Sequence, residues 1–282
     1  MSVMGWISVT AAEPRHDDDI LQSLQKEALP DLIQSLTEKK NAKHLRIVRV
    51  AGDVQDHRAS QLLVDAYEKN KDEGVRYKIL ESLGRLRDPS LLKWLERRLE
   101  DPHIGIQCFA IWALGELKSP AAAEALRQKL WASNRFVQIT AIDAIGKIGK
   151  NASVAAQLEV FLRDDDVQVR YLAAKALGGA ATPESAPELA QRLAEEPSAE
   201  VQEVLAVTLG RTGGEVGVGR LIELLKYSPS PATEHYAELG LAVAERENLV
   251  PALKPLLEGD DFRLKVAAAR ILNEKDHEAS KP

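Results

Sequence analysis

Apolar and polar positions follow a helical rhythm along this chain. Over Val169–Gly178 the sequence reads VRYLAAKALG. At about 100° per residue, its apolar first, fifth, sixth and ninth places fall on one face. The same ten-place pattern returns as VRYKILESLG (Val75–Gly84), IQCFAIWALG (Ile106–Gly115), VQITAIDAIG (Val137–Gly146) and VQEVLAVTLG (Val201–Gly210). Weaker copies read KHLRIVRVAG, TEHYAELGLA and LKVAAARILN, ending at Gly52, Ala242 and Asn273. The copies close at 52, 84, 115, 146, 178, 210, 242 and 273, a period of 31 or 32 residues. Such a period marks stacked units, each unable to bury its apolar face alone.

Each period holds two helices, and the motif is the second. After it come helix-start signals, Asp88-Pro89, Ser119-Pro120, Asn151 and Thr182-Pro183, residues that cap or open a helix. First helices such as Leu91–Leu99 and Ala121–Leu130 follow, and then an acidic turn such as Arg163–Asp166 leads back to the motif. No stretch alternates as a half-buried strand does. The expected fold is therefore all-α: a solenoid, wound as a right-handed superhelix, of about eight two-helix repeats. It spans 17–274, between a tail or signal-peptide remnant over 1–16 and a polar C-terminal tail over 275–282. The closing glycine is expected to be a helix C-cap. Gly115, Gly146 and Gly178 should each show positive φ or a close helix contact.

Composition agrees. Hydrophobic residues make up 45% and aromatic ones 5%, so alanine and leucine, strong helix formers, carry the core. The 37 basic residues against 43 acidic ones leave a net charge of −6, without the basic excess that phosphate binding asks for. The single cysteine, Cys108, precludes an internal disulfide or a thiolate metal cluster. No apolar run approaches the ~20 residues of a membrane span. Ser2–Ala12 has an apolar middle and a Val-Thr-Ala ending but no Lys or Arg before it. It reads as a tail on a cytoplasmic protein; the alternative is a signal-peptide remnant on an exported one.

The period, the Asp166-Val-Gln-Val-Arg170 opening and the Ala176-Leu177-Gly178 close resemble HEAT-like repeats of the phycobilisome-lyase type. The resemblance covers about residues 30–274. It implies the fold and no single activity, since its members include bilin lyase subunits, deoxyhypusine hydroxylase, alkylpurine DNA glycosylases and scaffold proteins. The hydroxylase holds two irons with paired His-Glu motifs on repeat helices. Here one such dipeptide occurs, His277-Glu278, with Glu234-His235 reversed, where four are needed. The glycosylases hold DNA on a cationic concave face, and the matching columns here mix both signs, which argues against nucleic acid.

Other candidate chemistry is equally thin. His16, His44, His57, His103, His235 and His277 include no pair three or four apart, the spacing that ligation from one helix face requires. Gly213–Gly219 mimics a phosphate loop, but a helix precedes it where a strand is needed. It reads as an inter-repeat turn. Cys108 has no His or Lys near in sequence to activate it, and reads as an ordinary helix cysteine. No catalytic residue, metal ligand or cofactor is expected. Arg76, Gln107, Gln138, Arg170, Gln202 and Lys265 fill the second place. They are expected to form a polar ladder bonding the preceding turn, through Asp72, Asn134, Asp166, Asp261 or backbone.

Places three, four and seven point away from the core, onto the surface that lines the concave side in such arrays. Outer copies put polar residues there: Lys78, Glu81, Glu203, His235, Glu238 and Arg270. Central copies put Tyr77, Cys108, Phe109, Trp112, Ile139, Tyr171 and Leu172 there, with Trp112 at the place expected to be most exposed. Trp94 and Trp131, on first helices, are expected to pack structurally or lie on the convex side. Exposed aromatics on a concave face mark a binding site. The function expected is a non-catalytic scaffold gripping a helix or extended segment of another protein with Tyr77, Phe109, Trp112, Ile139, Tyr171 and Leu172. The alternative is a bilin-lyase-like chromophore-handling enzyme subunit.

Overall fold

The ten-place motif lies inside each second helix. In a computed structural model they run Glu73–Leu86 (α2), Ile104–Leu117 (α4), Arg135–Ile148 (α6), Val167–Ala180 (α8) and Ala199–Thr212 (α10), each 14 residues long. Pro231–Val243 (α12) and Phe262–Ala279 (α14) complete the series. The structure describes residues 48–49, 51–53, 57–227 and 230–279, with backbone alone at 57 and 274–279. The reading of 1–16, the first repeat up to residue 47 and the side chains of His277 and Glu278 lie outside these. Helix α14 continues to Ala279, into the segment set apart from 275 as a tail.

Three first helices are short because a 3-10 turn follows each, at Arg97–Glu100, Gln128–Trp131 and Phe161–Arg163. Leu92–Glu96 (α3) lies between turns Pro89–Leu91 and Arg97–Glu100. The others are His57–Lys69 (α1), Pro120–Arg127 (α5), Ala152–Val160 (α7), Ala186–Glu195 (α9), Gly214–Tyr227 (α11) and Arg246–Glu258 (α13). Side chains cap several starts, satisfying orphan N–H groups: Asp72 accepts from Val75 N at 3.2 Å, Asp88 from Ser90 N at 2.9 Å and Asn151 from Val154 N at 3.2 Å.

The chain divides into two compact units, Met1–Ala144 and Ile145–Pro282. Both are all-α solenoid segments, and no strand occurs among the described residues. In each, second helices stack on second helices: α2 on α4 in one unit, α8 on α10, α10 on α12 and α12 on α14 in the other. The core is the apolar stripe the pattern marks. Ile106, Ala110, Ile111 and Leu114 in the first unit, and Val169, Ala173, Ala174 and Leu177 in the second, are wholly buried. Each large one removed from water contributes roughly 1.5–3 kcal/mol.

The eighth place, small in the six copies from Ser82 to Gly240, is buried too, and it explains the glycines. Gly84, Gly115 and Gly146 are not caps. The helices run on past them, and the left-handed residues come three later: Arg87 at φ 51°, Lys118 at φ 50° and Gly149 at φ 112°. The N–H groups of Arg87 and Lys118 donate back to the carbonyls of Gly84 and Gly115, both at 3.2 Å. The glycines are notches. A Cβ on Gly115 would stand 2.9 Å from Ala144 Cα, and one on Gly146 2.6 Å from Ala176 Cα, the eighth-place residues of the next copies. Gly178 departs from the expectation: its Cβ would meet only Thr208 Oγ1, at 3.4 Å, and Gly179 makes the close approach, to Gly146 O. Where the eighth place carries a hydroxyl, it donates to the sixth-place carbonyl of the previous copy. Ser82 does so to Val48 O at 2.6 Å and Thr208 to Ala174 O at 3.0 Å.

The second-place ladder forms. Gln107 donates to Asp101 O at 2.7 Å, Gln138 to Leu130 O at 2.9 Å, and Arg170 to Asp164 O at 2.9 Å. The acceptors are carbonyls left over where the first helix ends, whereas Asp72 and Asp166 cap the second helix. Arg76 instead lies over the Tyr67 ring, 4.5 Å from its centre.

Candidate functional site

The outward places of α2, α4 and α6 in the first unit hold Tyr77, Cys108, Phe109, Trp112 and Ile139, all half-buried. Two of them join. The Tyr77 and Phe109 rings stack with centres 5.4 Å apart and planes 19° from parallel. Gly105 makes this possible, since a Cβ there would fall 2.7 Å from the Tyr77 hydroxyl. The Tyr77 O–H donates to Glu73 Oε2 at 3.2 Å. Burial and then this carboxylate hold the phenol above the ordinary tyrosine range. His103 lies beside it, its Nε2 3.3 Å from Glu73 Oε1 and its Nδ1 3.1 Å from Asp101 Oδ1. The stack thus has an apolar face and an acidic rim.

Trp112 does not take the most exposed place of its helix. Its ring reaches back over the preceding copy, where a Cβ on Gly84 would touch Cζ3 at 2.5 Å. The glycine leaves a flat backbone surface on which the indole lies, so Trp112 is half core. Glu81, also at a seventh place, is buried, tied to Lys78 at 2.8 Å and to Arg85. Ile139 lies half-buried on α6. In the second unit Tyr171 and Leu172 hold the equivalent places of α8, also half-buried.

Larger exposed apolar groups stand one or two places before the motif. Phe136 is 58% exposed and Ile104 44%. Phe136 occupies the column that Gly105 fills in the preceding copy. These were absent from the outward set because only places three, four and seven were read; the residues just after an N-cap also face out. Of the first-helix tryptophans, Trp94 packs as expected, edge-on to Tyr67 at 5.0 Å, with its indole N–H donating to Glu68 at 2.9 Å. Trp131 is 57% exposed.

Among the described residues, no group of three His, Cys, Asp or Glu stands together to hold a metal ion. Gly213 and Gly214 form a tight helix-to-helix junction, with φ of +52° at Gly214, and Gly217 and Gly219 lie inside α11. Burial pushes the Cys108 thiol pKa up, and a Thr140 hydrogen bond opposes this more weakly. The thiolate is the reactive form, so a raised pKa shrinks its fraction at neutral pH. Alkylation of native Cys108 by iodoacetamide near pH 7.5 should run at least about tenfold slower than in the urea-unfolded chain, as followed by intact mass. Equal rates would show an accessible, unshifted thiol. No described helix is long and apolar enough to cross a membrane.

The repeat geometry has a counterpart among known proteins. The profile for HEAT repeats matches overlapping stretches 29–106, 62–137, 98–166, 124–210 and 154–241. The chain belongs to the HEAT-repeat family. No curated protein matches it. Among solved structures, YibA of Escherichia coli is 16% identical over 94% of this chain and 98% of its own, with a TM-score of 0.53. The complex of CpcE and CpcF of phycocyanin lyase from Nostoc sp. PCC7120 is 18% identical, covering 88% of this chain and 94% of that one, with a TM-score of 0.49. Human deoxyhypusine hydroxylase is 18% identical over 92% of this chain and 98% of its own, with a TM-score of 0.42. The likeness to YibA is one of fold.

Proposed function

We propose that this HEAT-repeat chain is a non-catalytic scaffold that binds a helix or extended segment of another protein on its second-helix face, the concave one in such arrays. The observation that carries this is the Tyr77–Phe109 stack, held open by Gly105 and flanked by exposed Ile104 and Phe136. Half-buried aromatics are already fixed in place, so covering them releases apolar surface at little entropy cost, and such residues dominate binding energy. The rim of Glu73, Asp101 and His103 favours a segment with basic residues beside its apolar ones. Tyr171 and Leu172 offer the second unit's own contribution.

The experiment is affinity capture from the source cell with the intact chain and with Tyr77→Ala and Phe109→Ala. A partner on this face is lost about tenfold or more with both variants, at unchanged helicity. Trp112→Ala is expected to lower the melting temperature, because its ring fills the Gly84 notch. Equal capture by both stack variants would place the partner elsewhere. A co-purifying visible chromophore would favour a bilin-lyase-like role.

A further inference from the structure

The hairpin of α13 and α14 leaves a stacking face open. In five successive copies the sixth place, Leu80, Ile111, Ile142, Ala174 and Ala206, is wholly buried, and the ninth is buried with it. In the last copy Ala269 at the sixth place is exposed and Leu272 at the ninth is half-buried. Val266 is 49% exposed and Phe262 79%. On the partner helix α13, Val250 and Leu257 are exposed, two turns apart. This hairpin presents the surface that stacks copy on copy, and no described residue covers it.

We propose that this end face joins two copies of the chain, α14 against α14, antiparallel about a twofold axis. The face continues the repeat-to-repeat interface, so its shape already suits a helix. It is also self-complementary. Phe262 and Ala269 lie seven residues, about 10 Å, apart on either side of Val266. Antiparallel packing about Val266 sets each Phe262 ring over the small Ala269 of the other copy and Val266 on Val266, at the 8–10 Å spacing of packed helices. Two flanking charges are compensated within the chain, Arg263 by Glu234 and Arg270 by Glu238, which lowers the repulsion between two such faces. Head-to-tail continuation is disfavoured: the notch position holds Asn273, not glycine, and such stacking leaves an open, growing array.

Sedimentation velocity of the full chain tests this at roughly 1–100 μM, where a specific dimer is expected to form. Val266→Asp should raise its dissociation constant at least tenfold with unchanged circular dichroism, since the side chain is half in water. A reciprocal pair gives the orientation: Phe262→Ala and Ala269→Phe each weaken the dimer, and the double variant restores it. A monomer throughout the range, a dimer indifferent to Val266→Asp, a double variant no better than its parents, or assemblies that lengthen with concentration would each overturn the proposal.

Discussion

Gly210→Val lowers stability by about 3 kcal/mol or more, while Gly219→Ala, nine residues on, raises it slightly. Both are helical glycines, so propensity alone favours substitution at each, by roughly 0.5–1 kcal/mol for alanine and less for valine. The surroundings decide the sign. A Cβ on Gly210 would stand 2.0 Å from Gly240 O and 2.8 Å from Gly240 C. That is backbone, which cannot swing aside as a side chain can. Gly240 is equally tight, its Cβ falling 2.6 Å from Ala206 O. Helices α10 and α12 therefore touch backbone to backbone, and a valine must push them apart along their length. Overpacking usually costs 1–3 kcal/mol, and here every stacked contact of the pair shares the displacement. At Gly219 nothing lies within 4 Å, and an added methyl only stiffens the unfolded chain. Urea titration by circular dichroism reads both; equal midpoints would mean that α10 and α12 are not in backbone contact.

Arg170→Ala should cost about 3 kcal/mol, the low end for breaking a buried ion pair from one side, since Arg192 Nη2 remains 3.8 Å from Glu196 Oε2. Arg170 Nε donates to Glu196 Oε2 and Nη2 to Oε1, both at 2.9 Å, and the Glu196 side chain is 0% exposed. Glu196 also accepts from Ser198 N at 3.1 Å. The pair thus locks α8 to the turn between α9 and α10. The Glu196 hydrogen bond raises the arginine's pKa further, so the guanidinium stays charged wherever the protein folds. Arg170→Lys should recover little, because an ammonium cannot make the parallel pair of bonds. Hydrogen exchange would show the damage as deprotection beginning at α8–α10. Protection equal to the parent in Arg170→Ala would mean that the carboxylate finds water.

The period, the helix pairs, the buried stripe and the second-place ladder were legible because each depends on residues a turn or two apart, repeated until chance is excluded. The role of the glycines was misassigned for a physical reason. A glycine near a helix end suits a left-handed cap and a close helix contact alike, and only the neighbouring copy decides between them. The deciding column was present in the sequence, since Ser82, Ala113, Ala144, Ala176, Thr208 and Gly240 are all small. Trp112 was misplaced by the same oversight. Its angle on the helix points outward, but a long side chain leans toward the helix N-terminus and found the gap above Gly84. The Tyr77–Phe109 stack needed the empty site at Gly105, visible only once two helices are side by side. The Arg170–Glu196 pair spans 26 residues and occurs in a single copy, so no pattern announces it.

The glycine notches carry a consequence for how this molecule can change over time. Where copies meet glycine to small residue, backbone and Cβ atoms set the spacing of neighbouring helices. Apart from Trp112, whose ring lies on Gly84, the outward side chains take little part in it. Surface residues are thus free to drift toward a new ligand while the scaffold keeps its pitch. Where successive joints match, as Gly115 on Ala144 and Gly146 on Ala176 do, duplicating one period in frame leaves matching joints on both sides. The chain can lengthen by gene slippage and acquire specificity one side chain at a time, the two processes hardly constraining each other.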